Sequence, residues 1–222
     1  MSLSLLKQGE RVNKIIEILR KTYSRSRTAL TFKTPLQILI ATILSAQCTD
    51  ERVNKITPGL FKKYKTSLDF AKAKQETLEK EIYSAGFYKN KAKNIIALAK
   101  KMVKDFSGKV PDEMESLISL PGVARKTANI VLSSAFKKAQ GIAVDTHVKR
   151  LSQRLGFSKE NDPEKIEQDL MRIVEKKYWL DFNYLLVDHG RAICQARKPN
   201  CPNCVINRFC PSAKTFYPEL TL

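Results

Sequence analysis

Acidic residues are scarce in this chain. Only 22 Asp and Glu stand against 40 Lys and Arg, a net charge of +18 over 222 residues. The excess runs along the chain rather than gathering in a tail. A folded protein with that much charge of one sign repels itself, and a polyanionic partner relieves the repulsion. Nucleic acid leads, because phosphate neutralisation supplies most non-specific binding energy. An anionic membrane surface also suits the charge, but long apolar runs are missing. The longest, around Ile38 to Ala46, falls far short of the ~20 residues that span a bilayer. Residues 1–10 lack the cleavage pattern of a secretory leader. Histidine is nearly absent as well: His147 and His189 are the only two. With no partner at metal-ligand spacing, both are expected in structural hydrogen bonds. A cytoplasmic, nucleoid-associated protein without membrane contact, acting as a monomer, is the expectation.

Against these absences stands a local abundance of cysteine. Four of five fall in one 17-residue stretch, Cys194, Cys201, Cys204 and Cys210, spaced C-x6-C-x2-C-x5-C. Thiolate is a soft anionic ligand that selects zinc or iron–sulfur over magnesium or calcium. Zinc sites usually carry two tight knuckles separated by a longer loop. Here one pair is tight and the outer two are single arms, a spacing that favours a cubane [4Fe-4S] cluster over zinc. Disulfides are a third possibility, disfavoured without a leader and with Cys48 left over.

Strand-like alternation is missing too, whereas helical period is nearly everywhere. Val12, Ile15, Ile16 and Leu19 form one apolar stripe. Thr34 and Pro35 read as an N-cap and first residue opening a nearly all-apolar, hence central, helix to Leu44. Asp50 starts another helix, which Pro58–Gly59 is expected to end. Residues 74–85 read as helix stopped by Gly86. Ala92, Ile95, Ile96, Ala99, Met102, Val103 and Phe106 line a long helix ending near Gly108. Asp112 is expected to cap a short helix reaching Leu120, and after Pro121–Gly122 a helix runs to about Phe136. Asp145 caps the next, to about Leu155; Asp162–Pro163 opens another; and one over 181–193 leads to Cys194. The fold class is all-α.

Leu120-Pro121-Gly122-Val123-Ala124-Arg125-Lys126-Thr127-Ala128 lies between two of these helices. A Pro-Gly turn followed by unpaired backbone N–H groups at a helix start suits a phosphate oxygen, with Arg125 and Lys126 adding charge. Such an element grips a DNA backbone without reading bases. An ordinary αα turn with surface lysines fits the same residues. Taken together with Ala143-Val144-Asp145-Thr146-His147 and the cysteine spacing, the segment resembles the endonuclease III family. That family comprises helix-hairpin-helix DNA glycosylases with added strand-cleaving lyase activity. The likeness extends through Leu44-Ser45-Ala46-Gln47-Cys48-Thr49-Asp50, Gly86-Phe87-Tyr88-Lys89-Asn90-Lys91-Ala92 and His189-Gly190-Arg191, nearly the whole chain in order. Three positions depart from it. The family usually has Gly at Ala124, commonly Ala at Cys48, and more often an aliphatic residue at Phe87. The extra methyl of Ala124 is expected to crowd a phosphate or restrict the turn, and the Cys48 thiol to act as a small buried hydrophobe.

The resemblance implies a fold of two all-α domains with the active cleft between them. Residues 28–138 would form a six-helix barrel ending in the hairpin; 1–27 with 139–222 would form a discontinuous domain carrying the cluster. Lys126 would be the nucleophile that captures C1′ as a Schiff base, and Asp145 the carboxylate that stabilises the developing sugar cation. The imine then makes the C2′ proton acidic, so the 3′ phosphate leaves by β-elimination. Gln47 would fill the space vacated by an extruded base and Phe87 would wedge into the opposite strand. On sequence alone, either residue serves equally as packing or capping. Gly122, Ala124 and Arg125 would hold backbone phosphate, as would Arg197 and Lys198 in the loop after the first cluster cysteine. The implied substrate is an oxidised pyrimidine in duplex DNA. Two other functions fit the motifs. A mismatch glycosylase removing thymine, uracil or adenine typically lacks the hairpin lysine and uses water; adenine-specific relatives usually carry a further C-terminal domain, whereas this chain stops twelve residues after Cys210. A non-catalytic DNA-binding module would use the hairpin and cluster for docking alone.

Overall fold

The computed structural model describes residues 3–220, and every described element is helical. The two outermost residues at each end, assigned above to the cluster domain, lie outside the described residues. The chain forms two compact units, one of Thr28–Gln140 and one of Met1–Arg27 with Gly141–Leu222.

In the first unit, Thr34 caps α2 (Pro35–Leu44) by accepting the Gln37 N–H. Every residue from Ile38 to Leu44 is buried, as expected of a helix apolar on all faces. Around it pack α3 (Asp50–Lys63), α6 (Tyr88–Asp105) and α8 (Arg125–Val131). Between them run α4 (Ser67–Ala71), α5 (Gln75–Glu81) and α7 (Met114–Ile118). The long helix expected around Ala92 to Phe106 is α6, whose buried side chains include Ala92, Ile95, Ile96, Ala99 and Met102. Each fully buried aliphatic side chain contributes roughly 1.5–3 kcal/mol relative to exposure.

Three local expectations are corrected. The helix opened by Asp50 passes through Pro58–Gly59 to Lys63, with Leu60 buried beyond them. Proline removes one backbone donor and strains one turn, a cost of ~3 kcal/mol that burial on the next turn offsets. Asp112 does not cap the short helix. Glu113 is its N-cap, and the Met114 N–H is taken instead by Gln140 Oε1 at 2.8 Å. Asp112 pairs with Lys138, whose ammonium also meets Glu113 at 3.0 Å. Cys48 is half-buried, not enclosed, and packs against the core of its unit. A further helix escaped the periodicity. α4 is too short to show one, and it is held by a reciprocal capping box between Thr66 and Asp69.

The second unit is built on α1 (Leu3–Thr22), α9 (Thr146–Arg154), α10 (Pro163–Ile173) and α11 (Phe182–Ala192). Val12, Ile15, Ile16 and Leu19 of α1 are fully buried against the other three. α9 and α11 pack closely enough that glycine is needed. A Cβ on Gly190 would lie 2.9 Å from Arg150 Nη2 and 3.0 Å from His147 Cδ2. Beyond α11 the backbone folds into short turns and a last helix, α12 (Ala213–Phe216).

Candidate active site and metal centre

The hairpin of the first unit is set by two buried side chains and one glycine. Leu120 and Val123 are anchored in the core, and the Val123 N–H donates to the Leu120 carbonyl at 3.1 Å. Between them Gly122 has φ +78°, in the region L side chains rarely adopt. Space excludes a side chain as well, since a Cβ there would meet Asn94 Nδ2 at 2.8 Å. Ala124 is the N-cap of α8, and no side chain caps this end. Ala128, Asn129 and Val131 point α8 inward, which leaves Lys126 exposed in the first turn beside half-buried Arg125.

Gln47, Phe87 and Gly122 line one open pocket of about 540 Å³ together with Lys91, Asn94 and Thr127. Gln47 and Phe87 are both left-handed in backbone, at φ +53° and +47°. Non-glycine residues hold that conformation at a cost of order 1–3 kcal/mol. Phe87, the N-cap of α6, is 63% exposed, an aromatic ring left in solvent at the pocket's edge. Sequence reasoning missed Lys91. It is 6% exposed and donates to the carbonyls of Leu44, Ala46 and Ala85 at 2.7, 2.7 and 2.9 Å. The signal was available: Lys91 shares an i, i+4, i+7, i+11 line with the buried Ile95, Leu98 and Met102. Burial draws its pKa below the ordinary lysine value, and the Cys48 thiol opposes that.

In the second unit, Asp145 caps α9 through Oδ1, which accepts the His147 and Val148 N–H groups at 2.8 Å each. Its Oδ2 lies 3.4 Å from His147 Nδ1. Lys126 therefore belongs to the first unit and Asp145 to the second.

Cys194, Cys201, Cys204 and Cys210 all line one cavity. Among the described residues no three potential ligands converge on a point suited to a single ion. Four thiols lining one cavity are a soft donor set of the kind that zinc and iron–sulfur clusters take. Burial is the main cause that raises the thiol pKa of Cys201, Cys210 and Cys204, the last to about 11. A coordinated metal reverses that preference by deprotonating its thiol ligands. Polar groups surround the sulfurs. Arg154 Nη1 donates to Cys194 Sγ at 3.2 Å, and His189 Nε2 lies 3.4 Å from Cys204 Sγ. The other nitrogen of His189 meets the Tyr23 hydroxyl at 3.0 Å, and burial holds this imidazole neutral with a pKa of about 4. Arg154 also donates to the carbonyls of Gln195 and Ala196, at 2.8 and 2.6 Å. That grip precedes Arg197 and Lys198, both exposed, while Pro199 behind them is buried. Arg154 also escaped the sequence reading, because a charged residue closing a helix carries no local sign of a partner 40 residues away.

Comparison with known proteins places this geometry among relatives. Residues 40–176 match the HhH-GPD superfamily of base excision DNA repair proteins. Endonuclease III of Synechocystis sp. is 51% identical over 205 residues, 92% of this chain and 94% of that protein. Endonuclease III of Bacillus subtilis is 42% identical, over 85% of this chain and 86% of that one. Among solved structures, a trapped endonuclease III–DNA covalent intermediate superposes with a TM-score of 0.88 at 39% identity, covering 93% of this chain and 97% of that chain. A thermostable thymine-DNA glycosylase gives 0.84 at 26% identity, covering 93% and 98%.

Proposed function

The chain belongs to the endonuclease III family, and we propose that it is a bifunctional DNA glycosylase and abasic-site lyase of base excision repair. It removes damaged bases, oxidised pyrimidines foremost, from duplex DNA and cuts the strand 3′ to the abasic site. The observation that carries this reading is a lysine at the second position of the hairpin's outgoing helix, on a backbone shared with an endonuclease III trapped covalently on DNA.

Lys126 attacks C1′ with a neutral amine as the base departs, forming a carbon–nitrogen bond in place of the glycosidic one. The resulting aminal carbon still carries the ring oxygen; breaking the C1′–O4′ bond, with a proton delivered to O4′, opens the sugar to the imine, and loss of the C2′ proton then expels the 3′ phosphate. Asp145 supplies the negative charge that stabilises the sugar cation. Gly122, Ala124 and Arg125 take one phosphate at the hairpin, and Arg197 and Lys198 take another. The exposed Ala124 methyl leaves the N-terminal amides of α8 open, so the departure from glycine is compatible with that contact. Gln47 and Phe87 enter the duplex when the damaged base leaves it. The unit of residues 28–140 corresponds to the family's six-helix barrel, and the other unit to its cluster domain. The same reading makes the protein a cytoplasmic monomer working on chromosomal DNA.

The four cysteines would hold a [4Fe-4S] cluster, whose contribution is to fold and orient the loop bearing Arg197 and Lys198. Purified protein should contain about four irons and four sulfides per chain; stoichiometric zinc in protein made with ample iron would contradict this.

Borohydride should trap a covalent adduct between the protein and a lesion-containing strand. Lys126→Gln removes the lone pair while keeping length and polarity, so trapping and strand cleavage should vanish and lesion binding survive. An adduct formed by Lys126→Gln at near wild-type rate assigns the chemistry to another amine. The likeness to a thymine-DNA glycosylase makes a monofunctional mismatch enzyme the alternative, which base release without trapping by the wild type would select. Duplex binding with neither would select a docking module.

A further inference from the structure

Lys91 is an expensive residue to place inside a protein. An ammonium loses its hydration on burial, and only hydrogen bonds of good geometry compensate for that. Here the compensation is complete: three N–H donors meet three carbonyls at 2.7–2.9 Å. The three carbonyls belong to two pieces of backbone. Leu44 ends α2, where helical carbonyls lack partners. Ala46 sits in the following turn, immediately before Gln47. Ala85 closes the 3-10 turn Tyr83–Ala85, two residues before Phe87.

The two turns share a second property. Gln47 and Phe87, which flank them, both hold the left-handed backbone conformation, and both line the same pocket as Lys91. Such conformations persist only where the surroundings over-determine them. A lone chain end could be satisfied by water or by a two-donor amide. Three carbonyls arriving from two turns distant in sequence take a group with three donors, and the lysine ammonium supplies them from one nitrogen.

We infer that Lys91 is a positioning residue for base extrusion: one buried ammonium ties the Gln47 turn to the Phe87 turn and holds the two side chains at a set spacing. The inference rests on the reading of Gln47 and Phe87 as the pair that enters the duplex. Ordering the two turns during folding means that DNA does not have to order them on binding, which is what preorganisation accomplishes. The lysine itself need not touch DNA.

The test compares two reactions of the full-length, cluster-loaded protein. One is single-turnover base release from a duplex holding thymine glycol opposite adenine. The other is borohydride trapping at a preformed abasic site, where no paired base has to be displaced. Lys91→Met preserves the stem and removes the donors. It should slow base release by about tenfold or more, since small misplacements near a reacting centre can cost up to ~100-fold, while trapping falls by less than about threefold. The fluorescence rise of 2-aminopurine beside the lesion, which reports base opening, should slow by the same factor as base release. Lys91→Arg keeps the charge and is the second variant to use if Lys91→Met fails to fold. Its planar fork cannot match carbonyls gathered round an ammonium, so it should show the same split at smaller size. Equal losses in both reactions, or none in either, would show a purely structural lysine and overturn the inference. Wild-type protein that neither releases thymine glycol nor traps would sink the glycosylase reading, and this inference with it.

Discussion

On the proposed mechanism Asp145 divides one carboxylate between two tasks. Its Oδ1 holds the first turn of α9 through two backbone N–H groups, whereas Oδ2 makes only a long 3.4 Å approach to His147. Capping needs an acceptor, not a charge, and asparagine caps about as well as aspartate. Stabilising a sugar cation needs the charge. Asp145→Asn therefore separates the tasks. Its melting temperature should stay near wild type while single-turnover base release falls by a factor of order 100 or more. Asp145→Ala should additionally lose ~1 kcal/mol of stability. Near wild-type base release by the Asn variant would remove Asp145 from the chemistry and leave it as a cap. At the same scale, the scarcity of histidine acquires a meaning. His189 serves the cysteine cavity and His147 the start of α9, so both act through hydrogen bonds within their unit.

Among the elements, α4 is the shortest-range construction in the first unit. Five residues cannot pay the entropy of helix nucleation by propensity alone, so the capping box contributes a large share. Asp69 accepts the N–H groups of Lys65 and Thr66 at 2.9 and 2.8 Å, and its pKa lies below the ordinary 3.8, chiefly through the Thr66 backbone bond. A depressed carboxylate pKa adds stability that is present above the unfolded-state value and is lost as pH falls through the folded one. Asp69→Asn should accordingly melt below wild type at neutral pH, with the gap closing as the pH drops below 3.8. A gap that persists well into that acid range would show that the charge is not what the cap uses. α4 packs along α6, so its loss would be felt on the helix that carries Phe87 at its N-cap and Lys91 within it.

At the scale of the whole molecule, charge dominates. With +18 on 222 residues, binding to any duplex should weaken steeply with salt, because each neutralised phosphate releases counterions. Neutralising Lys198 should lower affinity for damaged and undamaged duplex about equally and reduce the slope of log affinity against log salt by about one unit. An altered lesion preference at unchanged affinity would contradict a phosphate role for this loop. Among the described residues no helix is long and apolar enough to cross a membrane.

What the sequence determined by itself is what neighbours along the chain decide. Caps at Thr34, Asp145 and Asp162, the apolar faces of α1, α2 and α6, and the turn at Pro121–Gly122 follow from hydrogen bonds and periods spanning a few residues. Spacing singled out the four cysteines, and a family motif singled out Lys126 and Asp145 as the residues to test. Tertiary structure decided the rest, because the partners lie far apart in sequence. Pro58 stays inside α3 because the helix is anchored by burial beyond it. The Met114 N–H at the start of α7 is taken by Gln140, 26 residues away. Arg154 grips a cysteine 40 residues on. Lys91 reads as one more basic residue among 40 until three carbonyls, two of them more than 40 residues distant, are seen to close round it. Local interactions can be read in order along a chain; a buried charge becomes affordable only when distant backbone converges on it, and that convergence exists only in the fold.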